Sequence, residues 1–355
     1  MPRAVRAVLA ATVLFALLLP ATASAAPAGF VGMTADDLYG NAGSYRDKGL
    51  AQLEAAGVQS LRVTFNWEAI EVAPQSFDFT IYDNYVRDAA AHNITLLPVL
   101  VNAPAFYSFN PGSRFFFQPK NNADMARWAA LLVDRYGPTG TVWQGIPNPH
   151  PITAWQIWNE PNLSQYWYKK PNAAQYRSML QTVGGAIKSR DPSAEIVTAG
   201  MPDSFQKSAI RLAPYLKALY KGGGTNYIDT VAINSYAVSP KYLGKLLTKT
   251  RKLLNGIGGR SDKIWVTEVG WCYKGVKHRF CVGTKRQTKY TGQALSLIKK
   301  KRSAWKLRGF VWFSWRDGKP YIKNKDFWGN HTGLLTIKGK KKPAYRAFVK
   351  GAKRF

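Results

Sequence analysis

Two acids in this chain sit where an acid is costly. In Ile152-Thr-Ala-Trp-Gln-Ile-Trp-Asn-Glu160-Pro-Asn162, an apolar run of about strand length stops at Asn159-Glu160-Pro161. A run rich in Ile and Trp predicts a strand buried on both faces. Pro161 cannot continue its hydrogen-bonding ladder. Glu160 is thus delivered to the carboxyl end of a buried strand, between an amide and a proline. The stretch Lys263-Ile-Trp-Val-Thr-Glu268-Val-Gly-Trp271 repeats the design. A buried charge is expensive unless it is used. Two carboxylates at the ends of two buried strands are the pair that glycosidic bond cleavage needs: one protonates the leaving oxygen, the other attacks or positions water. The ordinary alternative for each is a structural carboxylate tied to a backbone amide or an arginine.

The elements that must carry these acids follow from periodicity. Strand patterns at 29–34, 58–66, 94–101, 152–158, 195–200, 228–233, 264–268 and 309–315 alternate with helical ones. The helical patterns run 44–56, 81–92, 122–136, 170–189, 205–220, 243–254, 288–301 and 344–350, with Gly57 ending the first and Gly222-Gly-Gly224 closing the fifth. Eight alternations predict one α/β domain over 26–355, a single (β/α)8 TIM barrel. In such a barrel all strand carboxyl ends converge on one face, so Glu160 and Glu268 can meet. The segment from Trp67 to Phe79 reads as a loop. A second, 103–118, holds Phe106, Tyr107, Phe109 and Phe115 to Phe117. These rings suit sugar stacking above the mouth, or a satellite core under the loop.

An Asn-Glu-Pro after one strand and a Thr-Glu ending a later one resemble the clan A glycoside hydrolases. The wording Trp158-Asn-Glu-Pro-Asn162 is most similar to families 39 and 5 of that clan. The resemblance covers most of the chain after residue 25, with its motifs concentrated in two strands. It implies a (β/α)8 fold and retention of anomeric configuration, with Glu160 as acid/base ending strand four and Glu268 as nucleophile ending strand seven. Asn159 would donate to the sugar 2-hydroxyl. Arg62 on strand two and Tyr236 after strand six would keep the nucleophile anionic; the plainer reading of Arg62 is a surface residue at a strand edge. Trp315, with Trp312 second, would floor the sugar subsite at the end of strand eight. The chain departs from the clan twice. Asn102 stands near where many members carry a His, and Asn234 replaces the His of a His-X-Tyr. Both are candidate substrate-binding residues, and the departure at Asn234 points to an outlying subfamily.

The rest of the composition bounds the setting. The 355 residues, 46% of them hydrophobic, suffice for one barrel. Arg3, Arg6, an apolar run from Val8 to Leu19 and Ala23-Ser24-Ala25 read as a secretory signal cleaved after Ala25, or as a retained anchor. Export is expected, to the extracellular space or the cell wall. Cys272 and Cys281 are the two cysteines, close together in an exported chain, which predicts a disulfide. His92, His150, His278 and His331 show no metal spacing, so no metal is expected, and no cofactor fingerprint appears. The net charge of +30 becomes about +28 once Arg3 and Arg6 leave; from Lys274 to Arg308 there are twelve Lys or Arg and no acid. Such a field attracts polyanions, or serves solubility alone. The expected partner is a carbohydrate substrate, with an anionic glycan or cell-wall polymer favoured. Nucleic acid and stable membrane insertion are not expected, and the protein is read as a monomer. Two readings compete with a secreted retaining glycosidase. One is a non-catalytic barrel that binds wall or anionic glycan. The other is a transglycosylase using the same residues.

Overall fold

Short runs of β-branched and aromatic residues form eight parallel strands that close into a barrel. The computed structural model describes residues 26–111, 117–222, 227–320 and 326–355. The signal segment 1–25, Phe115, Phe116, Gly223 and Gly224 lie outside the described residues. The strands are β1 (Val31–Met33), β2 (Ser60–Asn66), β3 (Thr95–Val101), β4 (Ala154–Ile157), β5 (Glu195–Val197), β6 (Thr230–Asn234), β7 (Lys263–Val269) and β8 (Leu307–Trp312). Each pairs in parallel with its neighbours in the chain, and β8 closes on β1. The helices are α1 (Ser44–Ala55), α2 (Thr80–Ala91), α3 (Asn122–Tyr136), α4 (Ala173–Arg190), α5 (Leu212–Tyr220), α6 (Pro240–Gly256), α7 (Thr284–Lys301) and α8 (Pro343–Ala352).

Local sequence sets where these helices start. Asn121 accepts from Ala123 N–H to cap α3, and Asn172 accepts from Ala174 and Gln175 N–H to cap α4. Proline opens α6 and α8, where its missing N–H costs nothing. The expected helix over 205–220 begins only at Leu212. Pro214 is the reason: proline fits the first turn of a helix and breaks its interior. Asp203 marks the start by accepting from Leu212 N–H at 3.3 Å and pairing with Arg211. The segment from Trp67 to Phe79 is no plain loop. It holds a helical turn, Trp67–Ile70, and a hairpin of Glu71–Ala73 with Ser76–Phe77. The buried Glu71 carboxylate fixes both, accepting from Trp67 Nε1 at 2.6 Å and Gln75 N–H at 2.8 Å.

Most of the core lies between the barrel and its helices. A separate layer fills the barrel interior: Leu97, Ala154, Val197, Ala232, Trp265 and Val311. One step further along the strands the interior turns polar. Cys272 and Cys281 form a disulfide in the loop after β7, with Cα atoms 4.4 Å apart. No described helix is long and apolar enough to cross a membrane.

Candidate active site

The polar layer sits at the carboxyl ends of the strands. Arg62 of β2 is its centre. Its guanidinium donates to Glu268 Oε1 at 2.9 Å, to Gln156 Oε1 at 2.8 Å and to Asn159 Oδ1 at 2.8 Å. The surface reading of Arg62 is thereby corrected, since the side chain is buried inside the barrel. Asn234 of β6 donates through Nδ2 to Glu160 Oε1 at 2.7 Å and to Glu268 Oε1 at 3.0 Å. One nitrogen thus bridges the two acids, and these oxygens are no farther apart than the two distances combined, 5.7 Å. Tyr236 donates its hydroxyl to Glu268 Oε2. Burial, with Glu268 adding, holds that phenol well above its ordinary range, so it remains a donor.

Two local irregularities aim the acids. On β7 the interior side chain is Trp265, so strict alternation would place Glu268 outside. The ladder contains an extra residue there. Against β6, Ile233 pairs with Val266 but Asn234 pairs with Glu268. Against β8, Phe310 pairs with Val266 but Trp312 pairs with Val269. This bulge returns Glu268 to the interior. It also leaves Thr267 Oγ1 donating to Asn234 Oδ1 at 2.9 Å, which turns the amide nitrogen toward the acids. At β4 the backbone turns after Ile157: Trp158 has φ 70° and Glu160 φ 46°. Side-chain-bearing residues enter this region at a cost of roughly 1–3 kcal/mol each, a strain found at functional sites. The Trp158 indole, donating to the Tyr166 carbonyl at 2.8 Å, is buried and holds the turn.

The environments of the acids differ. Burial, reinforced by Glu268, pushes the Glu160 carboxyl up to about 8, while Asn234 and Arg62 oppose the rise. The rise favours the protonated acid at Glu160, whereas Glu268 is ion-paired with Arg62. A third acid, Asp36, follows β1 at the mouth. Its side chain is open to solvent.

Strand eight requires a correction. Trp312 and Trp315 are fully buried and offer no face to a sugar. Val311 points into the barrel, so Trp312 points out, packing on Trp271 and on Phe348 of α8. Trp315 packs on Tyr345 of the same helix. Alternation instead sends Phe313 inward, where it stands half-buried, edge-on to Tyr236 at 6.0 Å. A partly exposed indole at this wall is Trp328, 4.6 Å from Tyr236 and stacked on His278 at 5.4 Å. Phe280 of the disulfide loop completes this wall, 5.0 Å from Trp328. Asn102, with φ 66°, donates to Asn66 at 2.7 Å and Glu68 at 3.1 Å at the end of β3, apart from the two acids. The aromatic loop 103–118 divides. Tyr107 stacks on Trp67 and Phe117 is buried, while Phe106 and Phe109 are exposed. Phe109 stacks on Tyr168 at 5.7 Å.

Sequence reasoning passed over Gln156, Thr267, Gly200, Phe313 and Trp328. A polar Gln156 two residues beyond inward-facing Ala154 was a usable sign. Gly200 matters for its missing side chain: a Cβ there would lie 2.3 Å from Asn234 Oδ1 and 2.7 Å from Thr267 Oγ1. No group of His, Cys, Asp and Glu among the described residues could hold a metal ion.

No protein-family model matches the chain, and no curated protein matches it in sequence. Solved structures match in fold. A family 39 glycoside hydrolase from Bacteroides cellulosilyticus superposes with TM-score 0.67 at 18% identity over 91% of this chain, which spans 63% of that protein. A GH39 β-xylosidase from Caulobacter crescentus gives TM-score 0.68 at 17% identity over 93% of this chain and 72% of its own. Xylanase 10B from Thermotoga maritima gives 0.62 at 12% identity, over 92% and 95% of the respective chains. The (β/α)8 architecture read from the sequence is the one these enzymes share.

Proposed function

We propose that this protein is a retaining glycoside hydrolase, with Glu160 as acid/base and Glu268 as nucleophile. The observation that carries the reading is the Asn234 amide bridging both carboxyl groups, with the bridged oxygens within 5.7 Å. Retaining enzymes need about 5–5.5 Å between the carboxyls; inverting ones need about 6.5 Å or more to admit a water. Glu268 Oε attacks the anomeric carbon as the glycosidic bond breaks, and Glu160 gives its proton to the departing oxygen. The glycosyl ester removes the Glu268 charge, one of the causes that raises Glu160. Glu160, left as a carboxylate by the first step, is then easier to hold ionised and takes a proton from the attacking water. The water oxygen bonds the anomeric carbon from the face the leaving group vacated, the ester bond to Glu268 Oε breaks, and Glu268 is returned as a carboxylate. Asn159, whose Oδ1 accepts from Arg62, would donate through its amide to the 2-hydroxyl. The exposed rings about the mouth suit an oligosaccharide or polysaccharide. We read the protein as a secreted monomer whose substrate, or the surface it works on, is an anionic glycan or wall polymer.

The test is a panel of glycans and aryl glycosides, assayed for reducing ends and phenol release, with Glu160→Gln and Glu268→Gln beside the unmutated protein. Turnover that both variants lose, and a covalent label on Glu268 from a 2-deoxy-2-fluoro glycoside, are expected. Binding to the panel without any cleavage would replace the enzyme by a carbohydrate-binding barrel.

A further inference from the structure

The positive charge is confined to one part of the molecule. Residues 1–239 hold 19 Lys and Arg against 16 Asp and Glu. Residues 240–355 hold 31 Lys and Arg against 4 acids, so +27 of the chain's +30 lies in its last third. None of the four acids sits on a helix. Asp262 is buried against Tyr220, Glu268 is in the cleft, Asp317 is buried with Lys342 and Asp326 is paired with His331. Consecutive units of a closed barrel are neighbours in space, so α6, α7 and α8 form one wall. That wall contains no Asp or Glu. Its outward cations run the full length of α7, from Lys285, Arg286 and Lys289 at the mouth end to Lys299, Lys300 and Lys301 at the far end, all exposed. Eighteen helical residues span about 27 Å.

The cleft has the opposite character. It presents Glu160, Glu268 and Asp36, and Arg62 is the one cation bonded to the catalytic pair among the described residues. Arg62 is already taken by Glu268, Gln156 and Asn159. Among the described residues no other cation bonds either acid, so an anionic sugar at the point of cleavage would meet two carboxyl groups there. The disulfide loop links the two regions: Arg279 lies over Phe280, which packs on Trp328 at the cleft wall.

We propose that the α6–α8 wall is a docking surface for an acidic, uronate-bearing polysaccharide, held outside the cleft, while the bond that is cleaved joins neutral sugars. This rests on the glycosidase reading for its second clause and for the choice of a glycan as the occupant. Twelve or more unpaired cations without acids make a field of one sign that a polyanion neutralises, with an affinity that falls as salt rises. A glycan, rather than another polyanion, is favoured because the wall runs into an aromatic-lined cleft.

The experiment measures binding of the full chain to polygalacturonate, neutral xylan and duplex DNA at low and high NaCl. It uses the unmutated protein and the triple variant Lys299→Glu, Lys300→Glu, Lys301→Glu. A second triple variant, at Lys285, Arg286 and Lys289, guards against a folding failure of the first, and thermal midpoints verify both. Polygalacturonate binding that greatly exceeds xylan binding, and that falls roughly tenfold in either variant and in high salt, is expected. Hydrolysis of the best neutral aryl glycoside stays within twofold of the unmutated protein and does not respond to salt. Equal binding of xylan and polygalacturonate, binding unaffected by the reversals, or tighter binding of DNA than of polygalacturonate at matched salt would each overturn the docking surface. Docking that persists in a protein with no hydrolytic activity would retain the surface and remove the enzyme.

Discussion

Gly200→Ala is the sharpest probe of how the two acids are held. Gly200 follows β5 and forms a β-bridge with Asn159. An added Cβ would stand 2.3 Å from Asn234 Oδ1 and 2.7 Å from Thr267 Oγ1, where ordinary contact begins at 3.4 Å. The amide must therefore retreat by about 1 Å, or turn, and its Nδ2 leaves Glu160, Glu268 or both. A hydrogen bond to a charged group is worth roughly 1.5–3 kcal/mol, and a misplacement of about 1 Å in a catalytic array costs on the order of a hundredfold in rate. The expected loss in kcat/KM is thus roughly a hundredfold on the best aryl glycoside of the panel. A second readout separates this from general damage. The Asn234 bond lowers the Glu160 carboxyl, which stands at about 8. Its loss moves the alkaline limb of the pH–rate profile upward, because the proposed role of Glu160 as proton donor requires it to be protonated. Gly185→Ala is the control. It lies in α4 with nothing within 4 Å of the added Cβ, and should stabilise the fold by about 0.5–1 kcal/mol without touching the rate. A Gly200→Ala protein with unaltered kcat/KM and an unmoved alkaline limb would refute the role given to Asn234.

Three further outcomes follow from the same structure. Glu160 holds its proton in the folded state up to about 8 but releases it near 4.3 when unfolded, so its contribution is full below that lower value and is lost as pH rises toward 8. Glu160→Gln should flatten that decline, on the order of a few kcal/mol, in urea midpoints measured at mildly acidic and mildly alkaline pH. Lys342 and Asp317 are buried together at 2.7 Å, with burial lowering the lysine to about 8. Lys342→Met alone should cost roughly 3–5 kcal/mol by stranding Asp317, and adding Asp317→Leu should recover most of it; a double variant no better than the single would count against this. Replacing both Cys272 and Cys281 by Ser opens a loop with a sequence separation of 9 and should cost about 2–3 kcal/mol by chain entropy, read as a lowered Tm.

By itself the sequence determined the parallel barrel, because the alternation of strand and helix patterns leaves few other ways to bury eight apolar strands. It also determined which strand ends carry the acids, since Pro161 stops one strand and a lone Glu interrupts the other. What it left open was which way each side chain points. Alternation along a strand has period two, so a single extra residue reverses every assignment beyond it. The bulge after Val266 is what turns Glu268 inward, and it is invisible as a residue type. The pleat of β8 beyond Phe310, regular against β1, sends Trp312 outward and Phe313 inward, so an aromatic motif read without its parity names the wrong ring. The bridge made by Asn234 depends on Thr267 and on the absence of a side chain at Gly200, residues brought together only by barrel closure. Tertiary structure decided these points because each is a matter of distance between atoms far apart in the chain, which no local pattern encodes.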